Sequence, residues 1–146
     1  MAHIRKQIRE AVAAAVTSLT TTGTNVFQSR AYAFDSATLP CLAIYTTDET
    51  SEIDSIGTPR GLYRTLMIKV EGRCRATSDV DDTMDLMCKE VEVALGSSTL
   101  SGLAKDFRLA ATTMDIDRSA EQPTGLVVMT WVAEYRTSEN DPETSR

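Results

Sequence analysis

Few residues in this sequence are of a type that does chemistry, and their spacing decides how far each can be taken. The one histidine, His3, stands at the start of a helical pattern, where water reaches it. A Ser–His–Asp or Cys–His arrangement would need that terminus folded into a cleft. The three cysteines, Cys41, Cys74 and Cys88, are an odd number with no C-x-x-C spacing. Each sits inside an apolar pattern, so they read as buried free thiols of a reducing compartment, not as a disulfide framework or a zinc site. Asp79, Asp81, Asp82 and Asp85 offer the oxygen ligands a cation takes. Acids in the first turn of a helix are, however, ordinary partners of its positive dipole end. Gly57-x-x-x-Gly61 lacks the Lys-Ser/Thr that completes a phosphate-binding loop. Trp131 lies among valines and methionine on a strand pattern, which favours packing over a base-stacking platform. No catalytic, cofactor-binding or metal-binding set emerges. The expectation is a protein that is not an enzyme and carries no cofactor.

What remains is charged surface. Residues 47–61 hold Asp48, Glu49, Glu52 and Asp54, with Arg60 at the end of the stretch and Arg64 just beyond it. Within it only Ile53 and Ile56 have the character to enter a core. The stretch is either a loop or the tip of a long hairpin joining Tyr45 to Tyr63. Arg60 and Arg64 can pair with carboxylates of another copy. Asp48, Glu49, Glu52, Asp54, Arg60 and Arg64 are therefore the candidate contacts to a subunit or partner.

Those residues have to be positioned by a single domain. At 146 residues, 42% apolar and 25% charged, the chain has the composition of a folded globular protein. Its formal charge of −6 disfavours tight non-specific nucleic-acid binding, which rests on neutralising phosphates, and docking on an anionic membrane. No apolar run approaches the roughly 20 residues that cross a bilayer. Arg5, Lys6 and Arg9 ahead of an alanine-rich run resemble a leader, but Glu10 interrupts it. The stripe Ile4, Ile8, Val12, Ala15, Val16, Leu19 fits an ordinary first helix.

The organising unit is a strand over residues 62–74 followed by a helix over 79–95. Leu66, Ile68 and Val70 alternate with Met67, Lys69 and Glu71, which is the period of a strand. The period then changes: Val80, Met84, Met87, Cys88, Val91, Ala94 and Leu95 form one helical stripe. Ser78 or Asp79 is placed to cap that helix, and Gly96 to end it. Further strands are predicted at 26–30, 41–46, 107–116 and 126–136, with 41–46 apolar enough to be covered on both faces. The element order predicts an α+β fold: a mixed, largely antiparallel sheet of about five strands flanked by two main helices. One domain over residues 1–136 and a flexible C-terminal tail over 137–146 are expected.

The stretch Ala33-Phe34-Asp35-Ser36-Ala37-Thr38-Leu39-Pro40-Cys41-Leu42-Ala43-Ile44-Tyr45-Thr46 follows an amphipathic first helix. After it come the acidic excursion, the Leu66–Val70 phrase, a helix with Asp81-Asp82-x-x-Asp85, and Gly125-Leu126-x-x-Met129-Thr130-Trp131-x-x-x-Tyr135. In that order they resemble the tail terminator family of long-tailed bacteriophages, the lambda-type minor tail protein U, over residues 3–136. The resemblance implies a subunit of a hexameric ring that caps the tail tube, stops its polymerisation and joins the head. Its implied partners are further copies of the chain, the tail tube protein and a head completion or connector protein. Its implied location is the head-proximal end of the tail in the virion, after assembly in the host bacterial cytoplasm. DNA would pass through an acidic ring without specific binding, because carboxylates repel phosphates. A head–tail connector or tail-completion protein shares these traits. A cytosolic small-molecule-binding α+β domain is the reading from a different class, and it would need a pocket.

Overall fold

The change from period two to period 3.6 along the middle of the chain comes out as a strand with a helix packed on it. A computed structural model describes residues 2–28, 39–75, 79–96, 98, 100–118 and 123–145. The elements are α1 (Ile4–Ala15), β1 (Val26–Phe27), β2 (Cys41–Ser55), β3 (Gly61–Arg75), α2 (Val80–Leu95), a 3-10 turn (Leu100–Gly102), β4 (Asp106–Asp117) and β5 (Thr124–Ser138). The fold is α+β, with two α-helices and a five-stranded mixed sheet. Strand order β1-β2-β3-β5-β4 puts β3 at its centre. β1 runs parallel to β2, and the other neighbours are antiparallel. The crossover through α2 joins β3 to β4, which run the same way with β5 inserted between them.

Alternation in β3 decides the layers. Leu66, Ile68, Val70 and Cys74 turn to one face and are no more than 1% exposed. Both helices lie on that face. Ile4, Ile8, Val12 and Val16 come down from α1 and its last turn, and Val80, Met84, Met87, Cys88, Val91 and Leu95 from α2. α2 sits close because two glycines floor it. A Cβ on Gly125 would stand 2.8 Å from Val80 Cγ2 and Met84 Sδ, and one on Gly72 would stand 2.8 Å from Met87 Cε. Both distances are shorter than van der Waals contact allows, so the missing side chain sets the helix–sheet spacing. Cys41, Leu42, Ala43 and Ile44 at the start of β2 are all buried, as a strand covered on both faces requires.

The hairpin reading of residues 47–61 is the one the chain adopts. β2 runs to Ser55, β3 starts at Gly61, and the arms pair from Cys41 opposite Arg73 to Ser55 opposite Gly61. Ile53 and Ile56, expected as the core contribution of this stretch, are instead 60% and 100% exposed. The physical reason is position: residues 50–60 are exposed throughout, where no helix covers the sheet. Asp79 precedes α2, but its side chain makes no capping hydrogen bond, and Ser78 lies outside the described residues. Gly96 closes α2 in the right-handed conformation (φ −60°, ψ −23°) instead of the left-handed one. Of the strand predicted at 26–30, Val26–Phe27 is formed, while residues 29 and 30, like 33–38 of the quoted phrase, lie outside the described residues. β5 passes residue 136, and Thr137 is fully buried. The chain then returns along α1: the Ile4 amide donates to Pro142 O at 2.9 Å, and Gln7 Nε2 to Glu143 O at 3.1 Å.

Candidate functional site

The six charged candidates divide into two groups, and a bulge does the dividing. The register of β2 shifts between Thr46 and Glu49, so Glu49 faces Leu66 on the helix-covered side of the sheet. Its side chain is 7% exposed. Glu49 Oε2 accepts from Arg64 Nη1 at 3.3 Å and from Arg5 Nη1 at 3.1 Å, and Oε1 accepts from the Tyr135 hydroxyl. Arg64 Nε donates to Thr137 Oγ1 at 3.0 Å. One carboxylate thus ties β2, β3, β5 and α1 together. Burial, then the bond to Glu49, raises the Tyr135 pKa. His3 caps α1 beside this cluster, its Nδ1 accepting from the Arg5 amide at 3.1 Å. Burial and then the Arg5 charge hold the imidazole below its usual pKa. Glu49 and Arg64 are therefore counter-ions inside the fold, not free surface charges, because each would be costly to bury alone. The cluster escaped sequence reasoning because Glu49 and Tyr135 are 86 positions apart.

Asp48, Glu52, Asp54 and Arg60 are exposed. Asp54 Oδ2 pairs with Arg136 Nε at 3.1 Å. The Arg60 amide donates to Glu139 Oε1 at 3.1 Å, and the Glu139 amide to Arg60 O at 2.9 Å, which fastens the hairpin turn to the end of β5. Glu52, Asp54 and Arg60 lie at the hairpin end of β2 and β3, whereas Asp48 sits mid-strand at the bulge.

The sheet face away from the helices carries a polar lattice. Arg73 pairs with Glu71 at 3.1 Å, the Tyr45 hydroxyl donates to Glu71 at 3.2 Å, and Lys69 Nζ donates to Thr130 Oγ1 at 2.7 Å. The Tyr63 hydroxyl donates to Glu134 at 2.7 Å, which raises the Tyr63 pKa, and Arg136 lies over the Tyr63 ring at 5.4 Å. At the sheet margins the outer side of β4 has no strand beside it among the described residues. The outer side of β2 is paired with β1 only at Leu42 and Ala43.

Candidate chemistry elsewhere resolves into packing. All three cysteines are free and buried. Burial pushes the Cys41 and Cys88 thiols up to about 11 and raises that of Cys74, so they are protonated at neutral pH and poor nucleophiles. Trp131 stacks on Phe107 in the core, with ring centroids 5.0 Å apart and planes 16° apart. Among the described residues no three His, Cys, Asp or Glu side chains are grouped to hold a metal ion.

A polar lattice on one face, sheet margins left open among the described residues and a charged hairpin end suit assembly with other proteins. The sequence profile described as phage minor tail protein U matches residues 3–135. The chain belongs to that family. The match takes in both helices, β1 to β4 and β5 as far as Tyr135, which anchors Glu49. Among solved structures, a chain of "Virion of native gene transfer agent (GTA) particle" is similar, with 18% identity and a TM-score of 0.45 over 90% of this chain and 92% of that one. No curated protein sequence matches. As a member of the minor tail protein U family the chain is a structural protein of a bacteriophage tail, and its place is in the virion.

Proposed function

We propose that this minor tail protein is a tail terminator. Copies close into a hexameric ring on the head-proximal end of the tail tube, end its polymerisation and offer the head completion or connector protein its docking surface. The observation that carries the reading is the family match, which runs through the whole fold instead of one motif. The outer margins of β4 and of β2 beyond Ala43, which no strand covers among the described residues and which lie on opposite sides of the sheet, are consistent with it, because two unlike surfaces on one subunit are what head-to-tail closure uses. Growth of the tube ends when the ring binds the last tube layer on one side and presents a different surface on the other. Asp48, Glu52, Asp54 and Arg60 are the proposed contacts to a neighbouring subunit or the tube. An acidic subunit also lets DNA pass, since phosphates are repelled, not held. Electron microscopy of tail tubes incubated with gold-labelled protein tests the reading. Label on one end of each tube is expected, and label along the tube walls would overturn it.

A further inference from the structure

We propose that the sheet end bearing Ile53 and Ile56 is a knob that seats in a groove on α2 of a second copy of this chain. The inference rests on the ring reading and names the contact that would build the ring. Ile56 is 100% exposed and Ile53 60%, two branched apolar side chains within four positions on a stretch, residues 50–60, that is exposed throughout and whose charged members are Glu52, Asp54 and Arg60. The groove lies between α2 and the connection from α1 to β1. It has a volume of about 460 Å³, and Leu19, Leu86 and Val93 give it apolar walls beside Lys89 and Glu90. Leu86 and Val93 are 46% and 76% exposed on the outer side of a helix whose other outer positions are polar. Seven positions apart, they share one side of the helix and with Leu19 line one continuous groove. One wall is fixed, because the Thr21 amide donates to Glu90 Oε1 at 2.9 Å and the Thr21 hydroxyl donates to the other carboxylate oxygen. Glu90 is thereby occupied. Lys89 has no ion pair among the described residues and gives the groove a cation to face Glu52, the exposed acid beside the knob that is likewise without an ion pair among the described residues, Asp54 being held by Arg136.

Position excludes a chain's own knob from its groove, so knob in groove is a contact only two copies can make. The helix that walls the groove rests at Met87 on Gly72, which pairs with Leu42 near the start of β2, and the knob follows the end of β2 at Ser55. Along β2 from Leu42 to Ser55, at about 3.3 Å per residue, the two are about 40–45 Å apart. No chain can fill its own groove. Knob into groove is then a head-to-tail contact between copies, the kind that closes a ring when the rotation per subunit allows.

Native mass spectrometry on three proteins tests this: wild type, the knob variant Ile53→Ser/Ile56→Ser and the groove variant Leu86→Ser/Val93→Ser. All four side chains are exposed, and unchanged thermal melts establish that each variant folds. Wild type is expected to form rings. Each variant is expected to lose them, with a subunit dissociation constant weakened roughly ten- to a hundredfold, the effect of leaving an isoleucine in water. An equimolar mixture of the two variants has one intact knob and one intact groove per pair, so it should give dimers and nothing larger. As a second readout, Ile56→Cys mixed with Val93→Cys should cross-link between copies on oxidation, while the native cysteines stay buried. Rings from both variants without the 56–93 cross-link would overturn the knob and leave the terminator reading standing. Wild type that stays monomeric at high concentration would overturn both. Normal rings from a knob variant that no longer binds tail tubes would assign the knob to the tube and overturn the proposal.

Discussion

Replacing Glu49 by alanine should unfold this protein more readily than any other change in the acidic stretch, although Glu49 reads as one surface acid among four. Removing it leaves Arg64, whose side chain is 10% exposed, without its carboxylate, and the fully buried Tyr135 without its acceptor. Breaking a buried pair from one side costs about 3–5 kcal/mol. Arg5 adds little, because its side chain is 45% exposed and water screens it. Taking about 3–4 kcal/mol and about 2–4 °C per kcal/mol for a chain of this size, the melting temperature should fall by about 10 °C. Glu49→Gln keeps an acceptor for Tyr135 and should lose about half of that. Asp48→Asn, on the exposed side of the same bulge, should stay within about 0.5 kcal/mol of wild type. Thermal melts followed by circular dichroism, with urea titrations for the free energies, make the comparison. A Glu49→Ala variant within 1 kcal/mol of wild type, or equal losses for Asp48→Asn and Glu49→Gln, would refute the buried cluster; the 1 kcal/mol threshold is about the upper value for an exposed pair.

Leu66→Ala and Ile68→Ala should each cost about 2–5 kcal/mol in urea melts, because both are fully buried, while Lys69→Ala should cost far less. Gly125→Ala should destabilise by about 1–3 kcal/mol, since its methyl would meet Val80 and Met84; an unchanged melt would mean that α2 does not sit as close as described. The His3 pKa is lowered in the fold, so the folded state favours the neutral ring. Its contribution is present above the unfolded value of 6.5 and is lost as pH falls through the lower folded value. His3→Asn, which keeps an N-cap acceptor, should flatten that part of the melting temperature against pH. Asp48→Asn/Glu52→Gln/Asp54→Asn should leave the melt unchanged, yet weaken association with neighbours or tube and reduce its loss at high salt. Unaltered capping by that folded variant would remove the exposed acids from the mechanism.

The sequence exposes this fold wherever periodicity carries it. Leu66, Ile68 and Val70 at period two, and Val80, Met84, Met87, Cys88, Val91 and Leu95 at helical steps, identify the central strand and its covering helix, because each stripe must face the one core. The charged candidates are another matter. Glu49 and Asp48 are adjacent and of the same chemical type, and a bulge between strands sends one inward and the other to water. That bulge depends on pairing with β3, and the partners Tyr135 and Arg5 lie far off in both directions along the chain. Ile53 and Ile56 show the converse. Their type calls for a core, but the sheet runs past the helices before it reaches them, so tertiary placement overrides composition. Gly72 and Gly125 are equally silent in the sequence, and their meaning appears only when α2 rests on them.

The terminator reading is tested most directly by tube length. Tail tube protein polymerising in the presence of increasing amounts of this chain should give tubes whose growth stops once ends are occupied. Their mean length in electron micrographs should fall as the ratio of chain to tube ends rises, at an unchanged nucleation count. Tubes that elongate at the same rate and reach the same length with a saturating amount of the folded protein would contradict the account.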